Sequence, residues 1–234
     1  MLKEKQEVRI SDVEVAKAVI AHEAVSCFSG TELKVSVQPK TLASCVGGVF
    51  WGRAGEDWPV SAKGEPLVPW IQIVCDEMNG LYGAFHQRKA VCFFIHQDFD
   101  GYEAWSQPDQ ADFVVREYGL ADKLEPLRRP DVLRGHPFHR VVWKKRQDYP
   151  GLSKYHGLFD KSVYDAISGI KRFEYDNRYG HKIGGWPTPI QREQQYPGTY
   201  DLQIDVTENF MYGDSGIGYL SRDGQRWYVL FECC

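Results

Sequence analysis

The chain carries one pattern twice, and this repetition constrains its fold more than any single residue does. Gly47-Gly48, Trp58-Pro59, Trp70-Ile71-Gln72-Ile73 and Leu81-Tyr82-Gly83 recur in order as Gly184-Gly185, Trp186-Pro187, Leu202-Gln203-Ile204-Asp205 and Met211-Tyr212-Gly213. Each copy reads as a glycine-proline turn, an apolar strand that carries a glutamine, then a glycine and a second strand. A glutamine inside an apolar strand must find partners for its amide when buried. Gln72 and Gln203 are therefore predicted to bond neighbouring loop backbone in both halves. Gly47, Gly48, Gly184, Gly185, Pro187, Asp205, Gly213, Asp214 and Gly216 belong to the same structural motif, with Asp214 serving a β-turn.

A chain of 234 residues with 43% apolar content can bury a real core, so residues 1–234 are expected to form a single compact domain. Within it the first pseudo-repeat spans about 41–100, a helical and basic connector about 101–179, and the second pseudo-repeat about 180–234. Aromatic residues reach 14%, which favours strands and leaves amphipathic rings for a contact surface. The formal net charge of -4 argues against nucleic-acid binding by the whole chain, although Arg128-Arg129, Arg134 to Arg140 and Lys144-Lys145-Arg146 concentrate positive charge in the middle. The start MLKEKQEVRI lacks the apolar core of a signal peptide, which predicts a cytoplasmic protein. Cys27, Cys45, Cys75, Cys92, Cys233 and Cys234 then read as small buried hydrophobes.

Helical spacing over Val13 to Phe28, Pro108 to Leu120 and Phe159 to Ile170 predicts three packing helices. Leu33 to Val37, Leu67 to Val74, Ala90 to His96, Val141 to Trp143, Tyr200 to Val206 and Arg226 to Cys233 read as strands, the last reached through a hairpin turn at Asp223-Gly224. Thr41 to Pro59 reads as a loop. The expected fold class is α+β: a largely antiparallel sheet built from two sequence-related halves, with packing helices.

Candidate chemistry is sparse. His136-Pro137-Phe138-His139, with His156 or His181 as a third nitrogen, has proline inside the pair and no carboxylate or cysteine at ligand spacing, so no metal is expected. Gly213-Asp214-Ser215-Gly216 lacks the spacing of a nucleophile elbow, and no catalytic residue or cofactor is assigned.

The runs His181 to Gln191, Leu202 to Asp205, Met211 to Gly216 and Phe231 to Cys234, with Gly47-Gly48, Trp58-Pro59 and Pro69 to Ile73, resemble the YwqG-like family of bacterial proteins. Tyr212 stands where that family commonly has tryptophan, and Val49 to Asp57 is an extension of the first copy. Because members similar to this chain occur among toxin-immunity systems, the resemblance implies a protein that binds and neutralises a bacterial toxin. A nuclease is the expected partner, since an acidic surface can occupy its basic groove. Trp51, Glu56, Asp57 and Trp58 are the candidate anchors, against the reading that both tryptophans are core and the acids solvated. The alternative is an enzyme or small-molecule binder using a cleft between the repeats, with His181, Gln203, Asp214 and Ser215 near its rim.

Overall fold

The structure is a computed structural model that describes residues 10–23, 25–34, 37–78, 85–99, 113–151, 161–174, 180–190, 195–207 and 216–233, with the side chains of 10, 11, 34 and 168–174 outside that set. The strands are β1 (Val25–Lys34), β2 (Cys45–Val46), β3 (Trp51–Arg53), β4 (Val68–Val74), β5 (Arg88–Ile95), β6 (Phe113–Gly119), β7 (Leu124–Pro126), β8 (His139–Asp148), β9 (His181–Gly184), β10 (Thr199–Asp205), β11 (Gly216–Asp223) and β12 (Arg226–Cys233). Two helices are described, α1 (Ile10–His22) and α2 (Lys161–Glu174). Strand accounts for 47% and helix for 16%, so the expected α+β class is overturned and the fold is predominantly β. Among the described residues the two helices pack chiefly on each other. Ala16 and Ile20 of α1 meet Val163 and Ile167 of α2 in a small cluster apart from the main core.

Ten strands form one antiparallel sheet in the order β12-β11-β10-β9-β1-β8-β2-β4-β5-β6, and β3 pairs with β7 in a separate ribbon. The order is a palindrome about the long β1–β8 pair. On one side lie β2, β4, β5 and β6; on the other lie β9, β10, β11 and β12. Register matches residue for residue: Cys45 opposes Gln72 and Val46 opposes Ile71, as Lys182 opposes Gln203 and Ile183 opposes Leu202. Even the irregularities agree. The β4–β5 ladder shifts between Pro69 and Ile71, and the β10–β11 ladder shifts at the equivalent place, between Tyr200 and Leu202.

The inner faces of the two halves fold onto each other. Trp70 of β4 meets Phe231 of β12 edge-on at 5.5 Å between ring centroids, and Phe93 of β5 meets Trp227 of β12 at 5.1 Å. Offset and edge-on ring contacts add to a core already driven by area burial. The edges of the sheet are thus brought together and the sheet is nearly closed, which limits the exposed strand edge that would invite aggregation.

Three expectations fail locally. The segment around residue 113 forms β6 instead of a helix, α1 ends at His22 so that Phe28 lies in β1, and the supposed loop Thr41 to Pro59 contains β2 and β3. Phe28 is buried in the main core. Trp186 follows Gly185 directly, so its place in the first half is that of Val49, and Trp58 is not its counterpart.

Candidate functional site

The two glutamines do the same work. Gln72 Nε2 donates to the Ala43 carbonyl at 2.8 Å, and its Oε1 accepts the Trp51 N–H at 2.7 Å. Gln203 Nε2 donates to the Gly180 carbonyl at 3.0 Å, and its Oε1 accepts the Thr188 N–H at 2.9 Å. Ala43 and Gly180 stand four residues before their glycine pairs, and Trp51 and Thr188 stand three residues after them. Each glutamine therefore clips a loop onto the outer face of its half-sheet. Gly47 and Gly48 (φ 63 and 75) turn the chain into that loop as Gly184 and Gly185 (φ 65 and 76) do, a left-handed conformation that costs other residues about 1–2 kcal/mol. Ser44 Oγ accepts the Val74 N–H at 2.8 Å, and His181 Nδ1 accepts the Asp205 N–H at 3.2 Å in the matching place.

The candidate anchors separate into two groups. Trp58 is buried, packs edge-on against Phe94 at 5.4 Å and donates its indole N–H to the Leu67 carbonyl at 2.9 Å. Glu56 accepts the Arg53 N–H and the Tyr118 hydroxyl, both at 2.9 Å, and pairs with Arg116 at 3.4 Å. These two fasten the loop. Trp51 is half-buried and Asp57 is exposed, so they are the members that face outward.

Of the histidines, His139 Nδ1 lies 3.2 Å and His181 Nε2 lies 3.7 Å from Glu32. His136 is placed elsewhere, where its carbonyl accepts the Gly48 N–H, and His156 lies outside the described residues. Among the described residues no group of three or more His, Cys, Asp or Glu is placed to hold a metal ion. Of the proposed rim residues of an inter-repeat cleft, Gln203 and His181 are buried in the second half, and Asp214 and Ser215 lie outside the described residues, as does Gly213. Gly216 opens β11 opposite Cys233.

A different cleft does lie between the halves. Val115 and Glu117 of β6 face the β11–β12 hairpin residues Asp223, Gln225, Arg226, Trp227 and Tyr228 across a cavity of about 660 Å³, inside the range of small-molecule sites. Glu117 Oε1 accepts the Trp227 indole N–H at 2.7 Å, and Glu117 Oε2 pairs with Arg88 Nε at 2.8 Å. Arg222 lies over the Trp227 ring at 5.7 Å.

The family model described as "Domain of unknown function (DUF1963)" matches residues 44–221, a span that begins at the β2 turn and ends in β11. The chain belongs to this family. DUF1963 is the YwqG-like family that the motifs resemble. No curated protein matches the chain. The DUF1963 span contains both glutamines, Gln72 and Gln203, and both glycine pairs. Glu117 escapes a reading of local motifs because it lies 110 residues from Trp227, on the hairpin that also carries Arg222. No helix among the described residues is long and apolar enough to cross a membrane.

Proposed function

We propose that this DUF1963 protein is a non-enzymatic immunity protein that binds a bacterial toxin acting in the cytoplasm and blocks its active site or substrate groove. The segment from Gly47 to Leu67 is its contact surface. The supporting observation is that this segment is fastened from within: Gln72 holds Trp51, Tyr118 and Arg116 hold Glu56, and Trp58 plugs the core. A loop whose shape is set before docking loses little conformational entropy on binding. It presents a half-buried tryptophan, Trp51, and an exposed carboxylate, Asp57. That combination of a packing anchor and a steering charge suits a basic groove, and a nuclease toxin offers such a groove.

The test is co-purification with the product of the adjacent open reading frame, followed by calorimetry on the pair. A one-to-one complex with a dissociation constant of about nanomolar order is expected. Trp51→Ala and Asp57→Lys should each weaken it by about tenfold or more with little change in melting temperature. Absence of a complex at micromolar concentrations would overturn the proposal.

A further inference from the structure

We propose that the unpaired edge of β8, from Val142 to Gln147, is a docking site for an extended acidic peptide that adds to the sheet as a further strand. Main-chain hydrogen bonds from β8 seat the peptide, and Lys144, Lys145 and Arg146 select its carboxylates. The site shares no residue with the Gly47 to Leu67 segment and does not depend on that reading.

β8 is longer than the neighbour that covers it. It pairs with β1 along its whole length, from His139 to Asp148, but with β2 only through His139 and Arg140. The Val141 N–H still reaches the Ser44 carbonyl at 2.9 Å. Beyond that point no strand among the described residues pairs with the far side of β8. In an antiparallel ladder every second residue turns its N–H and C=O away from the partner strand, so this stretch presents a row of donors and acceptors outward. A row of that kind is a template for another strand. Lys144, Lys145, Arg146 and Gln147 are all exposed there, between the buried Trp143 and Asp148.

The charge on this edge is uncompensated. Arg53, Arg88, Arg116 and Arg140, on other strands or on the covered part of β8, meet Asp122, Glu117, Glu56 and Glu77 at 2.8 to 3.4 Å. Among the described residues Lys144, Lys145 and Arg146 have no such carboxylate, and the β1 residues opposite them, Ser29, Phe28 and Cys27, are neutral. The framework does not require the charge, since strand register sets Leu33 of β1 in the place of Lys144. Lysine on an open edge keeps like strands apart, and a second copy of this edge would set three cations against three cations. An acidic strand meets the opposite condition. Alternation sends Lys144 and Arg146 to one face and Lys145 to the other, which suits a strand with carboxylates on both faces and gives a phosphate backbone no continuous stripe. Trp143 is buried and offers no base-stacking platform, so a nucleic acid is the poorer fit.

Fluorescence anisotropy on the full chain, with the labelled and end-capped peptide Thr-Val-Glu-Glu-Glu-Val-Thr as probe, tests the site. Saturable binding with a dissociation constant below about 100 μM is expected. The exposed double variant Lys144→Glu/Arg146→Glu should weaken it by about tenfold or more at unchanged melting temperature. The same peptide with its backbone nitrogens methylated keeps its charge but cannot donate to a strand, and it should not bind. Amide hydrogen exchange over Val142 to Gln147 should slow when the unmethylated peptide is present. Absence of saturable binding, equal binding of the methylated peptide, or affinity indifferent to the double variant would overturn the proposal. Tighter binding of a labelled oligothymidylate than of the peptide would also overturn it, by making the edge a nucleic-acid contact.

Discussion

Glu117 of β6 accepts the indole N–H of Trp227 of β12 at 2.7 Å, a bond that joins the two outermost strands of a ten-stranded sheet. The residues are 110 apart in sequence, so this single contact closes nearly half the chain into one loop. Around it Trp227 packs on Phe93 and Phe85, and Glu117 takes a second donor from Arg88. The closure of the sheet is thus both apolar and hydrogen-bonded.

Glu117→Gln is expected to lower stability by about 1–3 kcal/mol, since an amide nitrogen would then face Arg88 or Trp227, donor against donor. Trp227→Phe should cost a comparable amount, through a lost bond and a smaller ring. The double variant should cost less than the sum of the two singles because one bond is removed in both. Urea unfolding monitored by circular dichroism measures each value, and strict additivity would show that the contact carries no coupling.

Gln72 and Gln203 allow structure and binding to be separated. Replacing either by leucine orphans a buried N–H and a buried carbonyl, so each substitution should cost about 2–4 kcal/mol. Only Gln72 holds Trp51. Gln72→Leu should therefore also weaken the toxin complex, whereas Gln203→Leu should leave its affinity unchanged. Equal loss of affinity in both variants would argue that the 47–67 loop is not the contact surface.

Burial gives the protein a definite alkaline weakness. It raises the Cys75 thiol to about 12 and pushes Cys45, Cys92, Tyr118, Tyr200 and Tyr219 up as well. The folded chain keeps protons that the unfolded chain releases, so the stabilisation is complete below the unfolded values and is lost as pH rises through them. Urea midpoints should fall steadily above about pH 8.5, where unfolded thiols ionise, and faster near 10, where tyrosines follow. A midpoint that stayed flat to about pH 10.5 would contradict this. At neutral pH the same thiols should resist iodoacetamide until the chain unfolds, because the thiolate is the reactive form.

Much of the framework was legible in the sequence, and for a physical reason. A glutamine, a glycine pair and an apolar run leave strong local signals, so β4, β5, β10, β12 and the turn at Gly224 fall where composition puts them. β6 did not, because it is covered unequally on its two sides. Arg116 and Tyr118 reach the outer loop through Asp57 and Glu56, while Phe113 turns inward onto Trp70 and Glu117 reaches Trp227 of the second half. Polar and apolar residues therefore occur on both faces, and the alternation that marks a strand is erased. Trp58 was ambiguous for a related reason: a tryptophan beside carboxylates reads equally as an interface or as a plug, and only the bond to Leu67 decides. The inter-half cleft depends on long-range closure, which local pattern cannot show.

The second half contains a buried ion pair that the first half does without. Lys182 Nζ lies 3.0 Å from Asp148 Oδ2, both side chains fully buried, and also bonds Thr188 Oγ1 at 3.0 Å. Asp148 Oδ2 in turn accepts the Trp186 N–H at 2.7 Å, a role that Gln38 fills for the Val49 N–H in the first half. By strand register the counterpart of Lys182 is Cys45, a neutral side chain. Lys182→Met alone should cost about 3–5 kcal/mol by leaving Asp148 charged and buried, and Asp148→Asn alone should cost a similar amount by stranding the ammonium. The double variant removes both charges and keeps an amide oxygen for the Trp186 N–H, so it should recover most of either loss. Thermal unfolding of the three variants decides the matter: a double variant as unstable as the worse single would mean that the pair contributes through geometry that the uncharged first half does not reproduce.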